Sequence, residues 1–117
     1  MSHDYQRFII ISGGPGSGKS TLINALEKQG FARSVEAGRA IIQHQVEIGG
    51  KALPWSDRAL FAELMLSWEM RSYDLASNNE GSVFFDRGVP DVTGYLTLCG
   101  LPVPEHIRKA ASTIRYN

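Results

Sequence analysis

Four apolar residues in a row, Phe8-Ile9-Ile10-Ile11, are the first hydrophobic feature of the chain. They are mostly β-branched and carry no polar interruption, which predicts a strand covered on both faces, as in a parallel sheet. A glycine-rich stretch follows. From Lys19 to Lys28, Leu22, Ile23, Ala25 and Leu26 recur at helical spacing, and Gly30 sits where a helix commonly ends in a left-handed residue. Residues 31–35 predict a short second strand, and Ala37 to Ile48 a helix stopped by Gly49-Gly50. Leu53-Pro54-Trp55-Ser56-Asp57 has turn and capping chemistry. Leu60, Phe61, Leu64, Met65, Trp68 and Leu75 then trace one face of the longest helix, to about Ser77, and this stripe is assigned to the core. Asn78-Asn79-Glu80-Gly81 is a turn, and Ser82 to Asp86 predicts a third buried strand that ends on a carboxylate. Pro90 to Leu98 predicts a short helix closed by Gly100. After Pro102 and Pro104, Glu105 to about Arg115 predicts the last. Strands alternating with helices predict an α/β domain, a parallel sheet between helical layers.

The length of 117 residues and the 43% apolar content fit one domain, residues 1–117. Twelve Lys and Arg balance twelve Asp and Glu, so no net field favours nucleic acid or anionic lipid, and any phosphate recognition must be local. The four-residue apolar run is too short for a secretory or membrane segment, which predicts a soluble, cytoplasmic protein. Cys99 is the only cysteine, so an intrachain disulfide is excluded and a buried thiol is the expectation. His3, His44 and His106 share no metal-ligand spacing. Trp55 and Trp68 are expected to pack in the core or at its edge, although either ring could stack on a base.

The most specific chemistry lies in Gly13-Gly14-Pro15-Gly16-Ser17-Gly18-Lys19-Ser20, followed by Thr21. Glycines at these places let the backbone adopt positive φ and approach phosphate oxygens with no Cβ in the way. The helix that begins near Lys19 adds its unpaired N–H groups and the positive end of its dipole. Lys19 would reach the β- and γ-phosphates, Ser20 would bring its hydroxyl to Mg²⁺, and Thr21 offers a weaker second hydroxyl. A buried strand before this stretch and a helix after it are the context that such a loop requires. It predicts binding of a purine nucleoside triphosphate, with MgATP preferred over MgGTP on slender grounds.

Asp86 closes a buried strand, at the end of the sheet where α/β proteins bind ligands, and would hold Mg²⁺ directly or through water; the bland alternative is a surface carboxylate or a helix cap. The next residue is Arg87, where motor-type ATPases place a second acid that polarises water. A cation there suits transferred phosphoryl charge or an anionic acceptor, which tilts the reading from hydrolase toward kinase; the alternative is a structural salt bridge to Asp86 or Glu36. Glu36 ends the second strand and could take a proton from an acceptor hydroxyl, with Arg39 one helical turn on to steer the acceptor. Glu followed by Arg at i+3 is also an ordinary helix-surface pair. Asp91 and Arg58 fall at helix starts and read as caps or surface charges.

The segments Phe8 to Thr21, Val35 to Ile42 and Val83 to Val92 together resemble a family of small bacterial predicted ATPases, grouped with P-loop domains similar to nicotinamide riboside kinase under a broad AAA-type label. The resemblance runs from about Phe8 to Asn117. It implies a nucleoside-kinase-like P-loop NTPase fold, three-layered α/β/α, with strand order 2-3-1-4-5. It also implies a nucleotide loop from Gly13 to Thr21, and Asp86-Arg87 in the place of the Asp-Arg pair of several nucleotide kinases. Members of the family typically continue past the equivalent of Asn117 into another strand and a basic lid, so the resemblance implies the N-terminal portion of the family domain. The missing strand would flank the first one and leave its edge unpaired, which predicts self-association or marginal stability.

The expectation is thus an ATP-dependent, kinase-like protein that transfers the γ-phosphoryl group to a small nucleoside or related metabolite. Lys19 and the loop amides would hold phosphates, Ser20 and Asp86 would hold Mg²⁺, Glu36 would be the base, and Arg87 and Arg39 would serve the acceptor. A nucleotide-binding regulator or slow NTPase is the alternative, and an inactive fragment the third reading.

Overall fold

The computed structural model describes residues 7–13, 16–79 and 81–117; the expectations for His3, Gly14, Pro15 and Glu80 lie outside them. Three strands, β1 (Arg7–Ile11), β2 (Ala32–Arg33) and β3 (Ser82–Asp86), form one parallel sheet in the order β1-β3-β2. Among the described residues, five helices accompany it: α1 (Lys19–Lys28), α2 (Ala37–Ile48), α3 (Arg58–Ala76), α4 (Val89–Leu98) and α5 (Glu105–Thr113). The chain moves past β3 between β1 and β2 and returns between β2 and β3. Right-handed crossovers in opposite directions put α1 on one face of the sheet and α2 and α3 on the other. The architecture is the α/β fold of a P-loop NTPase, and the strand order agrees with the first three strands of 2-3-1-4-5.

Alternation along the strands explains the packing. Phe8, Val83 and Phe85 are buried and meet Tyr73 and Ala76 of α3, so one face of the sheet carries the core. Phe84 points the other way, where Phe31 meets it edge-on at 5.3 Å. That second face is only partly covered: Ile9 and Ile11 are half-buried, short of the full burial expected. A second cluster joins Ala62 and Leu66 of α3 to Val89, Val92 and Leu96 of α4 and Ile107 of α5.

The helix ends follow local chemistry. Asp57 caps α3 by accepting the Leu60 N–H at 3.0 Å. Gly49 closes α2 with φ of 70°, as glycine can without strain. The assigned stripe of α3 holds for Phe61, which is buried, and for Leu64, Met65 and Trp68, which pack with it against α2; Leu60 and Leu75 are exposed instead, whereas Ala62, Leu66, Glu69 and Ala76 are buried. The helix is clasped by α2 on one side and α4 on the other, so its buried face is broader than one stripe. Trp55 is also exposed rather than packed, whereas Trp68 is half-buried and donates its indole N–H to Val35 O at 3.1 Å. Cys99 caps α4 and is half-buried rather than buried.

The last helix ends at Thr113, earlier than expected, and Ile114 turns to extended φ and ψ. The following residues run along β1. Asn117 donates its backbone N–H to Phe8 O at 2.7 Å and accepts the Phe8 N–H on Oδ1 at 2.7 Å. The outer edge of β1 is therefore met at Phe8, which narrows the expectation of an unpaired edge to the stretch beyond it.

Candidate functional site

Every candidate side chain sits at the C-terminal ends of the strands or at the helix starts that follow them. β1 leads into the loop, whose Gly16 and Gly18 have φ of 80° and 82°. Gly18 is the N-cap of α1 and makes no side-chain cap, leaving the first amides of that helix available to an anion. Gly14 and Pro15 lie outside the described residues. Gly13, Gly16, Ser17, Gly18, Lys19, Ser20 and Thr21 line one open cavity of about 570 Å³, closed on its far side by Glu36, Arg39 and Arg87. The structure thus brings nearly all the sequence-predicted site residues around a single cavity, with Asp86 beneath it.

Lys19 is the centre of the charge arrangement. Its Nζ lies in close ion-paired contact with Asp86 and 3.4 Å from Glu36 Oε2. Lys19 and Asp86 are both more than nine-tenths buried. Such a pair contributes little net stability, since desolvation offsets most of the attraction, but it fixes the ammonium at the floor of the loop. Asp86 also receives Arg33 Nη2 at 3.4 Å, and its backbone N–H donates to Ser34 Oγ at 2.9 Å. It does not cap the following helix. That role belongs to Asp91, whose Oδ2 accepts the Gly88 N–H at 2.8 Å while its carboxylate also holds the Ser12 hydroxyl. Asp91 therefore pins the end of β1 to the start of α4, and the reading of it as a cap is supported.

Glu36 is the residue before α2 and makes no capping bond. Its observed ion pair is with Lys19, not the i+3 contact with Arg39 that the bland alternative supposed. Arg39 is exposed and reaches the same cavity from the first turn of α2.

Arg87 is the one residue other than glycine with positive φ among the described residues, at 68°. Holding a side chain there costs about 1–2 kcal/mol. Its Nη2 donates to Gly13 O at 2.8 Å and its backbone N–H to Ile11 O at 3.1 Å. The guanidinium therefore grips the phosphate loop instead of pairing with Asp86 or Glu36.

Three residues went unrecognised in the sequence. Arg33 shares Asp86 with Lys19 and is held by Asn24 Oδ1 at 2.9 Å. Ser34 is buried against the Asp86 amide. Glu69 is only 4% exposed, and its Oε1 has no hydrogen-bond partner. Burial first, and then the nearby carboxylates of Asp91, Asp86 and Glu36, push the Glu69 carboxyl up to about 8. A signal for it existed: Glu69 follows Met65 and Leu66 by four and three residues and precedes Tyr73 by four, so it shares their helix face.

The donors fit a magnesium nucleotide. Ser20 and Asp86 line one cleft beside the loop. No cluster of three or more His, Cys, Asp or Glu among the described residues could hold a metal by itself. A hard cation at Ser20 and Asp86 would draw its other ligands from phosphate and water, as Mg²⁺ commonly does. No helix among the described residues is long and apolar enough to cross a membrane.

A family model described as an AAA domain matches residues 8–117. Comparisons with curated proteins and with solved structures give no match. Loop, buried lysine, strand-end carboxylate and a family match over nearly the whole chain agree, and the chain belongs to this AAA-domain family of P-loop nucleotide-binding proteins.

Proposed function

We propose that the protein is a phosphotransferase that binds a magnesium nucleoside triphosphate, ATP in the first instance, and passes the γ-phosphoryl group to a small nucleoside-like acceptor. The observation that carries the reading is the placement of Lys19, buried under the loop between the two carboxylates Asp86 and Glu36. Loop amides and Lys19 bind the phosphates, and Ser20 and Asp86 hold the cation. Magnesium, when bound, offsets charge on the phosphate oxygens. Glu36 accepts the proton of the acceptor hydroxyl as its oxygen attacks the γ-phosphorus. The bond from phosphorus to the β-phosphate oxygen breaks, and its electron pair leaves on the nucleoside diphosphate. Arg87 and Arg39 line the cavity, where their charge would offset that of the group in transit.

Titration calorimetry of MgATP and MgGTP tests the reading, with Lys19→Ala as the control. Saturable binding lost in the variant supports it, and a folded protein that binds neither nucleotide overturns it. Acceptor-dependent consumption of ATP separates a kinase from a hydrolase. A nucleotide-binding regulator is the second reading, favoured by the Arg87–Gly13 bond, which couples the loop to the start of α4. Under it Glu36→Gln leaves function unchanged, whereas under the first it lowers turnover far more than nucleotide affinity.

A further inference from the structure

Beyond the loop lies a second cavity of about 420 Å³, within the range of small-molecule sites, about 300–1,000 Å³. It opens off the nucleotide cavity, since Glu36, Arg39 and Arg87 line both. Its deeper walls include Ile42, Phe61 and Met65. Among the described residues, Glu69 Oε1 and Arg87 Nε are buried side-chain atoms with no hydrogen-bond partner, whereas the Tyr95 hydroxyl is engaged by Cys99. Both belong to residues lining this one cavity.

Buried polar groups are almost always paired in folded proteins, because each unpaired one costs stability. Chance would scatter such exceptions, whereas here both residues share the wall of one space that adjoins the phosphate loop. We propose that this cavity is the acceptor pocket, and that it takes an uncharged alcohol bearing a planar ring with adjacent hydrogen-bond donor and acceptor atoms, which Glu69 reads. The inference rests on the phosphotransferase reading above.

The chemistry of the ligand follows from the lining. Arg39 and Arg87 are balanced by Glu36 and Asp91, and burial holds Glu69 protonated at neutral pH, with its carboxyl raised to about 8. The pocket therefore offers no net charge to an ion. A protonated carboxyl presents one O–H donor beside one acceptor oxygen, which matches a ring edge with N–H next to C=O. Phe61 and Tyr95, with ring centroids 5.5 Å apart, offer an aromatic wall to such a ring. The ligand's hydroxyl would lie at the shared mouth, where Glu36 stands between the two cavities.

Uridine and inosine, which carry that edge, are titrated into the full chain saturated with MgADP. In parallel, 3-methyluridine and 1-methylinosine present it blocked. The expected result is saturable binding of at least one parent nucleoside, weakened about tenfold or more by its methyl group. Glu69→Leu should weaken binding, while Glu69→Gln, which keeps a donor and an acceptor, restores it to within about threefold. MgADP affinity is measured for every variant and is expected to stay unchanged, which separates loss of the pocket from loss of the fold. Failure of MgADP to bind the unaltered chain sinks the phosphotransferase reading itself. Normal MgADP binding with neither nucleoside bound, or with methylated and parent forms bound alike, overturns the acceptor pocket alone.

Discussion

Replacing Glu69 with glutamine should change how stability depends on pH, and the size of the change can be worked from its surroundings. The carboxyl sits at about 8 in the folded protein against 4.5 for an unperturbed group. Because the folded value is raised, the folded state holds a proton that the unfolded state has released throughout that window. Stability is then fully present below pH 4.5 and falls as pH rises, until the folded carboxyl itself ionises near 8. The slope through the middle is about 1.4 kcal/mol per pH unit, and the whole loss is at most about 5 kcal/mol. Glutamine is nearly isosteric and does not titrate, so the variant lacks this loss while sharing every other titration. Urea denaturation of both proteins at pH 5, 6, 7 and 8 gives the comparison. The difference in unfolding free energy should move in favour of the variant by about 1.4 kcal/mol for each unit. Parallel curves would show that Glu69 is ionised and solvated, and the account of its burial would be wrong.

Gly88→Ala should destabilise the fold by about 1–3 kcal/mol, because a Cβ there would lie 2.8 Å from Ile10 Cδ1 and 2.9 Å from Tyr116 Cζ; an unchanged melting temperature would refute this. Arg87→Gly relieves the left-handed strain at φ 68° while removing the guanidinium. Melting temperature should hold or rise as phosphoryl transfer falls about a hundredfold or more, and a variant of full activity would remove Arg87 from the site. The backbone of Ile10 is next to face the outer edge of β1 after Phe8 in a parallel ladder. Sedimentation equilibrium is expected to show concentration-dependent self-association, and a monomer at all concentrations would dismiss that edge as a contact.

The sequence was most legible where one local rule decides the outcome. α2 and β3 begin and end as expected, because glycines and a strand-ending carboxylate bracket plain patterns. The phosphate loop was legible for the same reason, since its chemistry is contiguous. Glu36 and Arg39 could be placed near the site only because strand ends share one rim of a parallel sheet. Only part of the buried face of α3 was legible, because its width depends on which helices flank it, and Leu60 and Leu75 satisfy the spacing yet stay exposed. Arg33 and Ser34 were missed because their role depends on the neighbouring strand: β2 lies beside β3, and Arg33 aligns with Phe84, two residues before Asp86.

The short stretch from Asp86 to Asp91 shows why structure and function cannot be separated at this site. Asp86 holds Lys19, Arg87 holds the Gly13 carbonyl, Gly88 admits Tyr116 and Ile10, and Asp91 ties Gly88 to Ser12. Each bond reaches a different part of the chain, yet all depend on the turn that the strained Arg87 makes out of β3. A glycine in place of Arg87 would make the turn at lower cost, so the arginine is there for its side chain. Tyr116 closes the arrangement by accepting the Val89 N–H on its hydroxyl at 3.2 Å and packing edge-on to Phe85 at 5.1 Å. A displacement of the loop by phosphate would thus be felt through Arg87 at the start of α4, and α4 carries Tyr95 into the second cavity. This provides a physical route by which filling one cavity could alter the other.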